Sequence, residues 1–215
     1  MEFIKQTIDL FHKGGPVMYL LVACSLFVVT IAVERFLYYR KQHVNAHAFR
    51  SKLQTLLDKH NINEAIHFCQ QSPSALSQVA VAGLQASQRG AQIDIAVESA
   101  ASFTAATLRE HLDDLSTVVT LSPLLGLLGT VIGMIGSFSV LNVQSGQPMA
   151  ITGGVGEALI ATATGLSVAT LALLAHSYFS RRVNQFVTEI EQVAALVIGY
   201  LPAKKSPRRD AHEIA

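Results

Sequence analysis

The sequence predicts an all-α fold, a three-span helical inner-membrane protein with long helices extending into the cytoplasm. Of its 215 residues, 50% are hydrophobic and only 14% are charged, whereas a soluble domain usually has about 25% charged residues. The apolar residues form three runs, each close to the roughly 20 residues that cross a bilayer. Between Asp114 and Arg181, Glu157 is the only formally charged side chain.

Residues 1–16 are predicted to form an amphipathic helix on the outer membrane surface, with a disordered terminus as the alternative. Their large apolar residues fall close to one helical face: Phe3, Ile4, Ile8 and Phe11. The Gly-Gly-Pro sequence that follows turns the chain into the first span, residues 17–39.

Residues 40–114 are predicted to be a helical cytoplasmic segment. The Asn-Ile-Asn-Glu sequence at 61–64 predicts a capping-box helix start. Breaks are expected at Ser72-Pro73-Ser74 and at Gly90. A final helix from about Asp94 is expected to continue unbroken into the second span.

The second half is predicted to hold two spans, residues 115–141 and 155–179, joined by an outer-side turn at 142–154. A cytoplasmic tail, residues 180–215, stays helical until Pro202 and then becomes polar and basic. Lys and Arg are concentrated in the middle segment and the tail, and the turn has none. By the positive-inside rule the N-terminus is periplasmic and the C-terminus cytoplasmic, so the basic clusters are topology signals rather than nucleic-acid sites.

Cysteine and histidine predict no metal centre, cofactor or disulfide. Cys24 lies within the first span and Cys69 in the cytoplasmic segment, so they are not expected to pair. Lipidation of Cys24 is an alternative, but the apolar run continues past it, so packing is favoured. His43 and His47 are four residues apart, a spacing that could hold a metal. A solvated helix face is the favoured interpretation for them and for the isolated histidines His60, His67, His111 and His212.

The second span carries glycines at helical spacing, which predict a smooth groove for close helix packing: Gly126, Gly129, Gly133 and Gly136. No lysine follows them, as a phosphate loop would require. The spans also contain no GxSxG nucleophile and no second carboxylate. No catalytic residue is therefore predicted, and the chain is not expected to be an enzyme.

The third span has a second small-residue face and two hydroxyls, Thr162 and Thr164. The face consists of Ala161, Gly165 and Ala169. An isolated membrane threonine is usually satisfied by its own helix. However, Thr130 lies 11 residues from the outer end of span two and Thr162 lies 7 from the start of span three. The two depths differ by only about 6 Å, so both hydroxyls could face one polar pathway.

Glu157 has two compatible interpretations. It follows Gly154 by three residues, where a carboxylate could satisfy the free N–H groups of a helix start. An ionisable group inside a membrane is also a functional-site hypothesis by default. The second interpretation places Glu157 at the mouth of a proton pathway that includes Thr130 and Thr162.

Two motifs resemble the paired signatures of the ExbB/TolQ/MotA family of proton-channel subunits. They are Ser122-Pro123-x-x-Gly126-Leu127-Leu128-Gly129-Thr130-Val131-x-Gly133 and Glu157-Ala158-Leu159-Ile160-Ala161-Thr162-Ala163-x-Gly165-Leu166. Their order on two successive spans and the three-span layout favour the ExbB/TolQ branch, since MotA-type stators have four spans.

The resemblance implies a homopentamer around two helices of an ExbD/TolR-like single-span partner, whose Asp binds the proton. Threonines matching Thr130 and Thr162 would line that pore, and a TonB-like protein would pass the work to the outer membrane. The alternatives are a TolQ-like envelope-integrity subunit and a passive oligomeric scaffold. A secondary transporter is disfavoured, because no inverted repeat is evident.

Overall fold

The computed structural model describes the backbone of residues 15–42, 44–143 and 148–201, with side chains omitted at 140–143 and 148–152. Every regular element within these ranges is an α-helix, which confirms the all-α prediction. The helices are α1 (Val17–Gln42), α2 (Ala46–Asp58), α3 (Ile62–Gln71), α4 (Ala75–Arg89), α5 (Ile93–Arg109), α6 (Leu112–Val143) and α7 (Pro148–Tyr200). Residues 1–14 of the amphipathic helix predicted at 1–16 lie outside the described residues.

Three segments of the described chain are long and apolar enough to cross a membrane, and they include most of α1, α6 and α7. The described chain divides into two compact units. The first, here called the membrane unit, comprises the described residues up to Leu37 together with His111–Ser180. The second, the bundle unit, comprises Tyr38–Glu110 and the described residues from Arg181 onward.

The helix boundaries of the bundle unit follow local sequence signals. Ser74 and Ser77 form a capping box at the start of α4, and Gly90 ends that helix with a left-handed φ of +67°. The predicted breaks at 72–74 and at Gly90 are therefore confirmed. The capping box predicted at Asn61 is wrong, because the Asn61 amide donates to the Glu64 carboxylate at 2.8 Å and caps no backbone group.

A close approach at Gly83 organises the core of the bundle unit. A Cβ atom on Gly83 would lie 2.6 Å from methyl carbons of both Val97 on α5 and Val197 on α7. The absence of a side chain therefore lets α4, α5 and α7 meet. Aliphatic side chains are among the fully buried residues of the bundle unit: Leu53, Val79, Leu84, Val97, Val193 and Val197. The core of these helices is therefore largely apolar.

The helix expected to run unbroken from Asp94 into the second span is interrupted at Glu110 and His111. The helix α5 ends at Arg109 and α6 begins at Leu112. His111 has a left-handed φ of +62°, which is uncommon for a residue other than glycine. Its Nδ1 lies 2.8 Å from the Asp114 carboxylate and its Nε2 lies 3.9 Å from that of Glu34. The prediction that His111 is isolated is thus also wrong.

Candidate functional site

The helices α6 and α7 pack closely in antiparallel directions within the membrane unit, through the small residues of both predicted motifs. A Cβ on Gly126 would lie 3.1 Å from Thr162 Cα. One on Gly129 would lie 2.5 Å from Ala161 Cβ, and one on Gly133 would lie 3.0 Å from Ala158 Cβ. As residue numbers rise on α6 they fall on α7. The glycines allow an approach that larger residues would prevent.

The α7 side of this contact is equally tight at two glycines. A Cβ on Gly165 would lie 2.6 Å from the Ser122 carbonyl oxygen, and one on Gly154 would overlap the Ser137 hydroxyl. Ala169 is buried at 8% exposure. Gly136, however, has no atom within 4 Å of its potential Cβ. Among the described residues, Gly136 therefore takes no part in the contact between α6 and α7.

The two predicted pathway hydroxyls have different acceptors. Thr130 donates to the Leu127 carbonyl of its own helix at 2.6 Å. Thr162 donates across the helix pair to the Gly126 carbonyl at 3.0 Å. In an α-helix the carbonyl of Gly126 also accepts the N–H of Thr130, four residues later. The Gly126 carbonyl therefore accepts from the Thr162 hydroxyl and from the backbone of Thr130, whereas the Thr130 hydroxyl bonds elsewhere.

The offset between these threonines is smaller than the estimate and opposite in direction. Thr162 lies 14 residues from the start of α7, and Thr130 lies 13 residues from the end of α6, so their depths differ by about 1.5 Å. Thr162 is the one farther from the connection between α6 and α7, whereas the sequence estimate placed it nearer. The reason is that α7 begins at Pro148, so the turn predicted at 142–154 is shorter and more of the helix precedes Thr162.

The early start of α7 also removes the capping interpretation of Glu157. Proline suits the first position of a helix because its φ is fixed and it lacks the N–H, and Pro148 occupies that position. Glu157 lies nine residues further on, and the free N–H groups of a helix start belong to its first turn. The Glu157 carboxylate therefore does not cap α7.

The Glu157 side chain instead lies against the start of α1. A Cβ on Gly15 would be 2.5 Å from Glu157 Oε1, and Gly15 has a left-handed φ of +67°. Five residues separate Glu157 from Thr162, which places the two side chains about 140° apart around α7. Glu157 and Thr162 thus occupy different faces of the same helix.

Sequence reasoning missed two residues of the membrane unit. Gly15 was read only as part of a turn, although its missing side chain leaves room for the Glu157 carboxylate. Arg35 was given no role, yet it is only 2% exposed and lies 3.7 Å from the Glu34 carboxylate. An arginine one helical turn inside an apolar run was the available signal for burial. Among the described residues, no cluster of His, Cys, Asp and Glu could hold a metal ion.

Comparison with known proteins decides the family. A sequence profile described as the MotA/TolQ/ExbB proton channel family matches residues 71–192, more than half of the chain. The chain belongs to this family. The match includes both motifs, so the paired glycines and threonines of α6 and α7 lie within the region that the MotA/TolQ/ExbB proteins share.

Two similarities that cover most of the chain are to ExbB-like members of the MotA/TolQ/ExbB family. A protein of Methanothermobacter thermautotrophicus, named as an ExbB homolog for biopolymer transport, is 27% identical over 90% of this chain and 70% of its own length. An ExbB-like protein of Synechocystis is 34% identical over 80% of this chain and 71% of its own. The TolQ protein of the Tol-Pal system in Pseudomonas aeruginosa is 42% identical over 37% of this chain and 35% of its own length.

Proposed function

We propose that this chain is the proton-channel subunit of an ExbB–ExbD-type motor that uses the proton-motive force to energise a TonB-like protein. The observation that supports it is the hydrogen bond from the Thr162 hydroxyl to the Gly126 carbonyl of the neighbouring helix, one helical turn from Thr130. A passive packing pair would need the glycines alone. Here the helix pair also carries the Thr162 hydroxyl, bonded to the backbone of the neighbouring helix.

The hydroxyl geometry suits a pathway for protons. A threonine hydroxyl has one donor and two acceptor lone pairs. The hydroxyls of Thr130 and Thr162 each donate their hydrogen to a backbone carbonyl. Each hydroxyl oxygen therefore still has lone pairs that can accept a hydrogen bond from water or from another chain. Such oxygens would stabilise a protonated water or a protonated carboxyl group. They would not themselves give up a proton, and the titrating acid would come from another chain.

That acid would belong to an ExbD/TolR-like single-span partner enclosed by a homopentamer of this chain. The N-terminus would be periplasmic and the C-terminus cytoplasmic, in a bacterial inner membrane. The Lys and Arg residues of the middle segment and the tail support this orientation. The membrane potential supplies about 2.3 kcal/mol per elementary charge for each 100 mV.

Glu157 would act near the outer entrance, between α7 and the start of α1. A carboxylate at that place would raise the local concentration of protons next to the pathway. Because Glu157 and Thr162 lie on different faces of α7, a water molecule or a neighbouring subunit would have to carry the proton onward. Glu157 is thus proposed as the group at which protons enter, and not as part of the pathway formed by the Thr130 and Thr162 hydroxyls.

A TolQ-like role in envelope integrity is the second candidate. The specific support is the 42% identity with TolQ of Pseudomonas aeruginosa over 81 residues, which is higher than the identity with either long ExbB-like match. The shorter extent of that similarity makes the ExbB-like role the first choice.

Complementation tests the proposal and separates the two roles. The chain would be expressed with its single-span partner in strains that lack either the native ExbB–ExbD pair or the native TolQ–TolR pair. We expect restored TonB-dependent uptake of iron-siderophore complexes in the first strain. Restored detergent resistance in the second strain alone would assign the TolQ role. Rescue of neither, with both proteins in the membrane, would contradict a motor function in these hosts.

A further inference from the structure

The bundle unit contains an open groove between α5 and the last third of α7, here called the α5–α7 groove. It encloses about 690 Å³. Its lining includes four Val and Ile side chains and five alanines: Val97, Val187, Ile190, Ile198, Ala101, Ala105, Ala106, Ala194 and Ala195. The alanines leave room for another chain segment. Leucine or phenylalanine in their place would fill the space.

Acidic side chains border this apolar lining. Asp94 and Glu98 line the groove from α5, and Glu191 lines it from α7. Arg109 lines it too, but it lies 15 residues or about 22 Å along α5 from Asp94. None of the three carboxylates forms an ion pair or hydrogen bond with the described residues. The groove therefore suits a segment that combines small or apolar side chains with positive charge.

The acidic end of the groove adjoins the end of α7. Val97 and Val197 meet at Gly83, so Asp94 and Glu98 lie beside the last turns of α7, and Ile198 itself lines the groove. The described chain ends at Leu201. The sequence that follows, Pro202 to Arg209, contains Lys204, Lys205, Arg208 and Arg209 and no acidic residue.

We propose that residues 202–209 of the same chain dock in the α5–α7 groove, with their Lys and Arg side chains beside Asp94, Glu98 and Glu191. The reach is sufficient. From Leu201 back to Glu191 is ten helical residues, or about 15 Å, and seven extended residues reach about 23 Å.

An apolar helix from a second copy fits the groove less well. It would partly remove three carboxylates from water without providing opposite charges, which costs free energy. The 202–209 segment provides four positive charges and has small residues, Ala203 and Ser206, to place against the alanines. Charge complementarity of this kind determines which segment binds more than how tightly it binds. The docking should therefore weaken as the salt concentration rises.

Photo-crosslinking of the full-length chain in lipid nanodiscs tests the proposal. A benzophenone amino acid would replace Ser102, an exposed residue at the groove edge, and the crosslinked peptides would be identified by mass spectrometry. We expect the main product to join position 102 to residues 202–209. Mixing isotopically labelled and unlabelled chains should show that both peptides come from one copy.

Charge reversal provides the control. Lys204→Glu with Lys205→Glu should lower the crosslink yield several-fold, and adding Glu98→Lys with Glu191→Lys should restore it. Lys59→Glu, at an exposed lysine that does not line the groove, should change nothing. Crosslinks to a helix of a second copy, or a yield insensitive to all these reversals, would overturn the proposal. The absence of any crosslink from position 102 to another chain segment would also overturn the proposal.

Discussion

The Thr162 hydroxyl donates a hydrogen bond to the Gly126 carbonyl on the neighbouring helix, at 3.0 Å. This bond exists because Gly126 has no side chain and lets the backbones of α6 and α7 approach within contact distance of Thr162. The same small residues that close the helix pair thus bring a polar group of α7 onto the backbone of α6. Packing and polarity are coupled at this point.

Replacing Thr162 with valine should weaken the membrane unit measurably. Valine keeps the shape and loses the donor, and a hydrogen bond between membrane helices contributes about 0.6 kcal/mol on average and about 1.7 at most. Equilibrium unfolding in detergent micelles would measure the loss. Thr170→Val is the matched control on α7, because the Thr170 hydroxyl bonds only to its own helix. Equal effects for the two variants would contradict a specific bond across the helices.

Gly165→Ala should separate α6 from α7, whereas Gly156→Ala should not. A Cβ at Gly165 would meet backbone atoms, the Ser122 carbonyl oxygen at 2.6 Å and Gly126 Cα at 3.0 Å. Neither atom can move aside without shifting a helix, so a destabilisation of about 1–3 kcal/mol is expected. At Gly156 no atom of the described residues lies within 4 Å of the potential Cβ. The melting temperatures of the two purified variants would distinguish them, and a Gly165→Ala chain as stable as wild type would refute the packing.

Glu157→Gln should leave assembly intact and reduce the energised activity. Glutamine has nearly the same shape as glutamate, but its amide cannot bind and release a proton at physiological pH. Gly15→Ala should also reduce activity, because its new Cβ would displace the carboxylate and φ at that position is left-handed. Proton-driven uptake in cells, with oligomer size as the control, measures both. Full uptake with Glu157→Gln would leave the carboxylate only a packing role beside Gly15.

Cysteine labelling tests the orientation, but the native Cys69 is unsuitable as its inner marker. Burial of the side chain raises the pKa of the Cys69 thiol to about 12. The reactive thiolate is therefore only about one part in ten thousand at pH 8. Cys69 should stay unlabelled from either side and become reactive only above about pH 11 or after unfolding.

The exposed neighbour Gln70 offers a better inner position. In a background with Cys24→Ser and Cys69→Ala, a membrane-impermeant maleimide should label Ser145→Cys in intact spheroplasts. It should label Gln70→Cys only after the membrane is opened. The reverse pattern would invert the topology inferred from the Lys and Arg residues.

Local signals predicted most of the fold. Apolar runs revealed the spans, and Pro73 and Gly90 marked the helix ends in the bundle unit, because these residues act on the backbone wherever they stand. The break at His111 could not be predicted in this way. No Gly or Pro occurs there, and His111 contacts Asp114 and Glu34, the latter distant in sequence.

The candidate site was predictable in composition and less so in geometry. The glycines and threonines of the motifs were identified from their spacing, yet the face each one occupies depends on where α7 begins. Placing that start at residue 155 made Glu157 resemble a cap and reversed the offset of Thr130 and Thr162. Residues 148–154 contain two glycines, which lower helix propensity, so the sequence pattern resembled a turn where packing holds a helix.

The most direct test of the central claim is the proton flux through vesicles that contain this chain and its single-span partner. With an imposed membrane potential, a pH-sensitive dye inside the vesicles would report proton entry. We expect Thr130→Val with Thr162→Val to lower the flux at least tenfold, while Thr170→Val leaves it unchanged and all complexes keep the same size. A flux equal to wild type in the double variant would contradict a proton pathway along these hydroxyls.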